Sequence, residues 1–306
     1  MHLYILRRFL VAIPTLLIIA LISFWLMHIA PGGPFDMERP MPELVRANIE
    51  AKFHLNEPFF MQFFIYISNF VQGDLGPSFV YQDFTVTQLV MQSWPVSAVL
   101  GALSFAIAVP LGMLLGTIAA LNRNSTLDYM LMAISMTGVV IPAFVLAPVL
   151  VTIFSIQLGW LPAGGWEGGK LSHLVLPVIS LAIASLAAIA RVMRGAMIET
   201  LNQPYIRTAR AKGLSTSYIL FQHALRPSLI PIIAMLGPSF VAVITGSVII
   251  DIFFGTGGMG QHFVSGALNR DYGLVMGITL IVATLTIVFN LIVDLLYALI
   301  DPRIRL

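Results

Sequence analysis

The chain contains no cysteine. That excludes disulfides, thiolate metal sites and a cysteine nucleophile. Charge is almost as scarce. Only 10% of the 306 residues are Asp, Glu, Lys or Arg, against 58% hydrophobic, and the mean hydropathy is +0.92. Soluble domains carry about 25% charged residues. This chain lacks the polar groups to cover a water-facing surface, so the bilayer is its natural solvent. His2, His28, His54, His173, His223 and His262 are scattered and form no H-x-x-x-H pair, which argues against a metal site. No G-x-S-x-G pattern points to a serine hydrolase. No internal repeat or low-complexity linker divides the chain.

Two nucleotide-binding patterns nearly form, and neither stands. Residues 164–171 (GGWEGGKL) depart from the phosphate-loop pattern at Leu171, which has no hydroxyl for Mg²⁺, and no buried strand precedes them. Residues 255–260 (GTGGMG) match G-x-G-x-x-G but follow an apolar helix, so they read as a tight turn.

What the sequence has instead is long apolar runs. Six spans are expected: Phe9–Ile29, Val96–Ala120, Met130–Gln157, Ser172–Ala190, Leu229–Phe254 and Leu274–Leu299. Each meets the roughly 20-residue length of a bilayer crossing. Met130–Gln157 is long enough to tilt or kink. Pro14, Pro110, Pro142, Pro148, Pro177, Pro231 and Pro238 fall inside these runs, and membrane helices tolerate this where neighbours cover the freed backbone groups. Arg7-Arg8 ahead of the first run resembles a signal peptide. The run has spanning length, however, and Ala30-Pro31-Gly32-Gly33-Pro34 offers no small-x-small cleavage site, so an uncleaved first span is expected.

Basic residues set the orientation. Eleven fall on one side: Arg7, Arg8, Arg123, Arg191, Arg194, Arg207, Arg210, Lys212, Arg226, Arg303 and Arg305. Five fall on the other among nine acids: Arg39, Arg46, Lys52, Lys170 and Arg270. Both termini and the segments 121–129, 191–228 and 300–306 are therefore expected in the cytoplasm, and 30–95 outside. The expected organisation is a first span (1–30), an external loop with short helices (31–95), a membrane domain (96–300) containing the cytoplasmic loop 191–228, and a tail (301–306). In the external loop, Pro42–Phe53 reads as a surface helix ending before Pro58. Pro58–Val71 reads as an amphipathic helix lying on the membrane or against other spans. It serves either as a covering flap or as a docking surface.

Asp251, Asn290 and Asp294 are the candidate polar residues at membrane depth. Asp251 lies near the outer end of the fifth run, and Asp294 about 20 residues into the sixth, roughly 30 Å away at 1.5 Å per residue. They cannot form a catalytic dyad, so structural pairing or capping is the expected role, with a pathway role as the alternative.

The most distinctive stretch is Tyr205–Pro227. Arg207, Arg210, Lys212 and Arg226 fall within it, and no acid does. Arg191 and Arg194 are expected to end the fourth span. Tyr205–Lys212 favours a basic helix, and Gly213 suits a helix C-cap. Ser215 suits an N-cap, followed by Tyr218, Ile219, Leu220 and His223 at helical spacing, and Pro227 marks re-entry into the membrane. A positive-inside loop on anionic lipid explains the charge alone. The helix–glycine–helix layout with an apolar second face is what a partner-binding element needs.

At these residues the chain resembles the permease subunits of ATP-binding-cassette importers. Residues 207–213 (RTARAKG), then nine residues to His223-Ala224-Leu225, resemble their cytoplasmic "EAA" loop. Gly213, Leu225 and Ala209 fit that pattern, while Arg207 replaces its Glu, Thr208 its first Ala, and Pro227 sits one position late. This form, together with LRRFLVAIPTLLIIALISFWLMHIAPGGPF at the start, GDLGPS at 73–78, TGVVIPAF in the third span, GALNRDY at 266–272 and NLIVDLLYALIDPRIRL at the end, is similar to the B-type permeases of the oligopeptide, dipeptide and nickel group. The resemblance implies an all-α type I importer permease fold in the bacterial inner membrane. It implies a homologous second permease subunit, two ATPase subunits docking from the cytoplasm, a periplasmic peptide-binding protein and a peptide substrate. It also implies no cofactor on this chain, with ATP hydrolysed by the partners. Tyr205, Arg207, Thr208, Ala209, Arg210, Ala211, Lys212, Gly213, Leu214, Ser215, His223 and Leu225 would form the ATPase-coupling element. The alternatives are a dipeptide, murein-peptide or nickel permease of the same branch, a non-transporting membrane scaffold, or, with least support, a membrane enzyme.

Overall fold

The computed structural model describes residues 2–29, 56–81 and 83–300. The surface helix expected at Pro42–Phe53 and the 301–306 tail lie outside the described residues. Regular structure among the described residues is helical, apart from one isolated bridge between Pro77 and Thr85. Five helices are long and apolar enough to cross a membrane, or six if one bent pair counts as a single span.

The first span, α1 (His2–Ile29), packs beside α2 (Phe59–Val71). Phe63, Tyr66, Ile67 and Phe70 of α2 join Leu16, Phe24 and Met27 of α1 around the buried Ala20, Met276 and Leu280. The amphipathic helix expected at Pro58–Val71 thus lies against spans, with Phe60 and Phe64 on its exposed side.

Helix α3 (Val86–Leu121) begins ten residues before the expected second span. Thr85 and Gln88 form a capping box, with Gln88 N donating to Thr85 Oγ1 (3.2 Å) and Thr85 N to Gln88 Oε1 (3.0 Å). This local signal starts the helix inside the segment expected to be loop, and Pro95 is carried within it. Further along, Ser104, Ala108, Gly112 and Gly116 recur every fourth residue and are buried. That stripe faces the long central helix α6 (Leu171–Leu201). A Cβ at Gly112 would sit 2.8 Å from the Leu186 carbonyl, and one at Gly116 2.7 Å from Met193 Cβ. Small residues at four-residue spacing let two membrane helices meet backbone to backbone, gaining dispersion contacts that lipid cannot replace.

The third span is not one helix. It consists of α4 (Thr126–Val140) and α5 (Ala143–Leu150), the latter extended by a π-helix over Val151–Gln157, and the two halves are bent by 105°. Ile141 precedes Pro142 and adopts φ −87°, ψ 112°, as expected where the proline ring disfavours the helical region for the residue before it.

Helix α6 also runs past Arg191 and Arg194, which lie inside it, not at its end. It is followed by α7 (Pro204–Ala211), the short α8 (Thr216–Ile219), a π-turn over Leu220–Ala224, and α9 (Leu225–Phe254). Residues 216–254 form one continuous helical rod, so Pro227 does not open a separate membrane helix. Pro227 has no N–H for the i−4 carbonyl, and the wider π-turn lies just ahead of it. Helices α10 (Met259–Leu268) and α11 (Tyr272–Ile300) complete the fold.

Candidate functional site

The basic segment is mounted on the end of α6. Ile206 and Ala209 of α7 are buried in one cluster with Met193, Met197, Ile219, Ala224 and Ile232. Ser228 reinforces the mount, donating to Ala224 O at 2.8 Å and lying 3.0 Å from Thr200 Oγ1. One face of α7 is thus anchored. Tyr205, Arg207, Thr208, Arg210, Ala211, Lys212 and Gly213 remain exposed. Desolvation raises the Tyr205 phenol above its ordinary value, so it stays neutral as a hydrogen-bonding group. Thr208 Oγ1 is turned back to Pro204 O (3.2 Å).

The turn after α7 has a specific geometry. Gly213 N donates to Arg210 O at 2.9 Å and Leu214 N to Ala209 O at 3.3 Å, with Gly213 at φ +79°. These paired bonds make a Schellman motif, whose left-handed residue strongly favours glycine. Ser215 then caps the next helix by accepting from Tyr218 N at 3.3 Å. Beyond the cap, Tyr218 (50% exposed) and Phe221 (66%) stand outward beside Leu214 (37%). Arg207, Arg210 and Lys212 are exposed on this element, as are Leu214, Tyr218 and Phe221. His223 lies in the π-turn, its ring 5.7 Å from Tyr218, and its buried Nδ1 meets no hydrogen-bond partner among the described residues. Leu225, half-buried, packs on the edge of the anchoring cluster.

The candidate polar residues in the spans separate into distinct settings. Asp294 pairs with Arg8 of α1 at 3.1 Å. Asp251 is fully buried. It accepts from Thr256 Oγ1 (2.6 Å), Gly260 N (3.1 Å) and Ser97 Oγ (3.3 Å), and Ser97 Oγ accepts from Met259 N (2.9 Å). A Cβ at Gly258 would come within 2.5 Å of this carboxylate. The G-x-G-x-x-G match is therefore a turn wrapped tightly around Asp251. Asn290 is exposed on α11 against Gly237, next to the stacked Phe240 and Phe289 rings 3.7 Å apart. A cavity of about 430 Å³ between α9, α10 and α11 is lined by Val248, Met259, Phe263, Ile278 and Val282. Its hydroxyls, Ser247 and Thr279, are bonded to their own helices, so it offers packing rather than polar recognition.

Two buried acids that sequence reasoning did not single out organise the ends of the spans. Asp271 accepts from Ser78 Oγ, from Phe79 N at 3.1 Å, from Val80 N at 3.3 Å and from Leu274 N at 3.1 Å. This joins the 73–78 motif to the 266–272 motif across more than 190 positions. Nearby, Tyr81 meets His262 with ring centroids 6.4 Å apart, and burial lowers the His262 imidazole below its ordinary range. The other is Asp128, fully buried and held bidentately by Arg194, with Nε–Oδ1 and Nη2–Oδ2 both 2.6 Å. Motif content flagged the Asp271 region, but no local pattern in one sequence reports which distant donors a carboxylate will meet.

Comparison with known proteins agrees with this architecture. Residues 112–306 match the model for "Binding-protein-dependent transport system inner membrane component", and residues 1–101 match its N-terminal companion. The oligopeptide transport system permease protein OppB of Haemophilus influenzae is 59% identical over 99% of both chains. The dipeptide transport system permease protein DppB of Bacillus subtilis is 41% identical over 99% of this chain and 98% of its own. An inward facing structure of the MetNI methionine ABC transporter superposes with a TM-score of 0.54 at 19% identity, covering 69% of this chain and 94% of that one. That likeness establishes the shared all-α permease fold. With both family models matched and near-full-length relatives at high identity, the chain belongs to the binding-protein-dependent transport system inner membrane components, the permease subunits of ATP-binding-cassette importers.

Proposed function

We propose that this chain is the membrane permease of an ATP-driven importer carrying oligopeptides inward. The observation that carries the coupling mechanism is the α7–Gly213–α8 element. One face is locked into the α6–α9 cluster, and the other presents Arg207, Arg210, Lys212, Leu214, Tyr218 and Phe221. Basic residues beside apolar anchors are a combination that both a protein partner and an anionic lipid surface accept, and the anchored helix–Gly213–helix layout favours the protein partner. The greater identity to OppB of Haemophilus influenzae (59%) than to DppB of Bacillus subtilis (41%) favours longer peptides. A dipeptide permease of the same branch is the second reading.

On this reading two ATPase subunits dock on the element from the cytoplasm, a homologous permease completes the pathway, and an external binding protein delivers peptide. ATP is hydrolysed by the partners, not by this chain. Closure of the ATPases moves the docking element, and the rod 216–254 carries that motion into the membrane. Reconstitution with these partners in vesicles is expected to give ATP-dependent uptake of oligopeptides, with dipeptides weaker competitors. Uptake of dipeptides alone would favour the second reading.

The charge bias places both termini and the docking element in the cytoplasm of a bacterial inner membrane. A reporter fused after Arg226 is expected to be active only as a cytoplasmic protein, and one inserted near Glu50 only as an external protein. The opposite pattern would overturn the orientation.

A further inference from the structure

We infer that Asp128 and Arg194 form a positioning latch that carries movement of the docking element into α4, the first half of the broken span. The inference rests on the docking reading above. Arg194 is flanked on α6 by Met193 and Met197, whose side chains share the cluster that seats Ile206 and Ala209 of the docking helix. The same residue reaches across to α4 with both guanidinium donors at 2.6 Å from the two oxygens of Asp128.

The latch is pre-organised from the α4 side. Asn124, at φ 64°, donates its N–H to Asp128 Oδ2 at 3.0 Å, and Ser125 caps α4 by accepting from Asp128 N at 3.2 Å. The carboxylate is thus held in one rotamer before the arginine arrives. Its side chain is 1% exposed, against 28% for Arg194.

The rest of the α4–α6 contact differs in kind. Gly138 of α4 lies on Ile183, where a Cβ would be 2.9 Å from both Ile183 Cγ2 and the Ile183 carbonyl. Ser135 spends its hydroxyl on Leu131 O at 2.8 Å, within its own helix. Close, small-residue contact without directional bonds lets helices slide or rotate against each other. A bidentate guanidinium–carboxylate pair does not, because both its distance and its plane are constrained. With α4 and α5 bent by 105° at Ile141–Pro142, α4 meets α6 as a segment separate in direction from α5. The geometry therefore makes α4 a moving part of the cytoplasmic half, driven through one polar link.

The absence of cysteine permits a clean test. Tyr129→Cys on α4 and Asn202→Cys at the end of α6, both exposed, are spin-labelled in the chain assembled with its partner subunits in nanodiscs. The intact latch is expected to give one narrow distance that keeps its width when ATP is bound. Asp128→Asn and Arg194→Lys are each expected to broaden it by several ångströms and to lower peptide uptake per ATP at least fivefold, with assembly and basal ATP hydrolysis retained. Asp128→Glu, which keeps a carboxylate for Arg194 and Asn124, is expected to recover most of both readouts. A distribution as narrow as the parent's in Asp128→Asn, or broadening with unchanged uptake per ATP, would overturn the latch. So would loss of assembly in Asp128→Asn and Arg194→Lys alike, since that marks a purely structural contact. The distance readout does not depend on what is transported. If the parent complex imports no peptide yet the variants broaden, the peptide reading fails and the mechanical link stands.

Discussion

Gly213→Val is expected to lower ATP-dependent uptake at least tenfold while leaving membrane insertion intact. Gly213 sits at φ +79°, and a Cβ built there meets nothing within 4 Å. A Cβ thus meets no neighbour among the described residues, and the main penalty is in the backbone. A non-glycine residue in the left-handed region costs about 1–2 kcal/mol, more for a β-branched side chain. Relieving that strain unwinds the Schellman turn, releases the bonds to Ala209 and Arg210, and swings α7 relative to the rod 216–254. About 1.4 kcal/mol is tenfold in an equilibrium, so a marginal docking geometry is lost. Asn tolerates the left-handed region, and Gly213→Asn is expected to keep most of the uptake. Vesicle uptake and co-purification of the ATPases measure both variants. Unchanged uptake in Gly213→Val would remove the docking role from this turn.

Asp271→Ala is expected to release the strap at Ser78–Val80. The carboxylate serves four donors, from Ser78, Phe79, Val80 and Leu274, in a fully buried position. Each buried donor left without an acceptor costs about 1–3 kcal/mol. These costs are not additive, because the strap escapes to water once the first bonds are gone. Loss of about 2.8 kcal/mol corresponds to a hundredfold change, so hydrogen exchange at the Phe79 and Val80 amides is expected to accelerate by that order. Asp271→Asn keeps one carbonyl oxygen but turns an NH₂ toward donors, and should fall between. Parent-like protection in Asp271→Ala would show that the strap is held by packing, notably the close approach of Gly273 to the Pro77 carbonyl and of Gly277 to Val86.

These two sites differ in how far they could be read from the chain. The Gly213 turn is local. A basic helix former run, a glycine and a serine within eleven residues describe a C-cap and an N-cap, and hydrogen bonding to neighbours a few positions away decides the outcome. The Asp271 clamp is not local. Three of its four donors, from Ser78, Phe79 and Val80, lie more than 190 residues upstream, and nothing in GALNRDY says which distant amides will converge on the carboxylate. Asp128 is similar: its cap on α4 is legible as Ser125 three residues earlier, but its pairing with Arg194 depends on how α4 lies across α6.

Span boundaries follow the same division. Apolar runs placed the crossings, because the length of a bilayer and the hydropathy of a window are both readable along one dimension. They did not place the start of α3, where the Thr85–Gln88 box outweighs the proline at 95, nor the continuity of 216–254, where a π-turn absorbs Pro227.

By itself the sequence determined the solvent, the all-helical class, the approximate crossings, the charge bias and the glycine turn at 213. Each of these depends on composition or on contacts within a few residues. Only the tertiary structure decided the 105° break after α4, the backbone-to-backbone seat of α3 on α6, and the three buried carboxylates that tie distant helices together. The seat of α3 depends on how two helices lie on each other, and the carboxylate ties depend on where their donors arrive from elsewhere in the chain. In a water-poor interior each such group must be satisfied by whatever the fold brings within about 3 Å, and that is a property of the packed molecule.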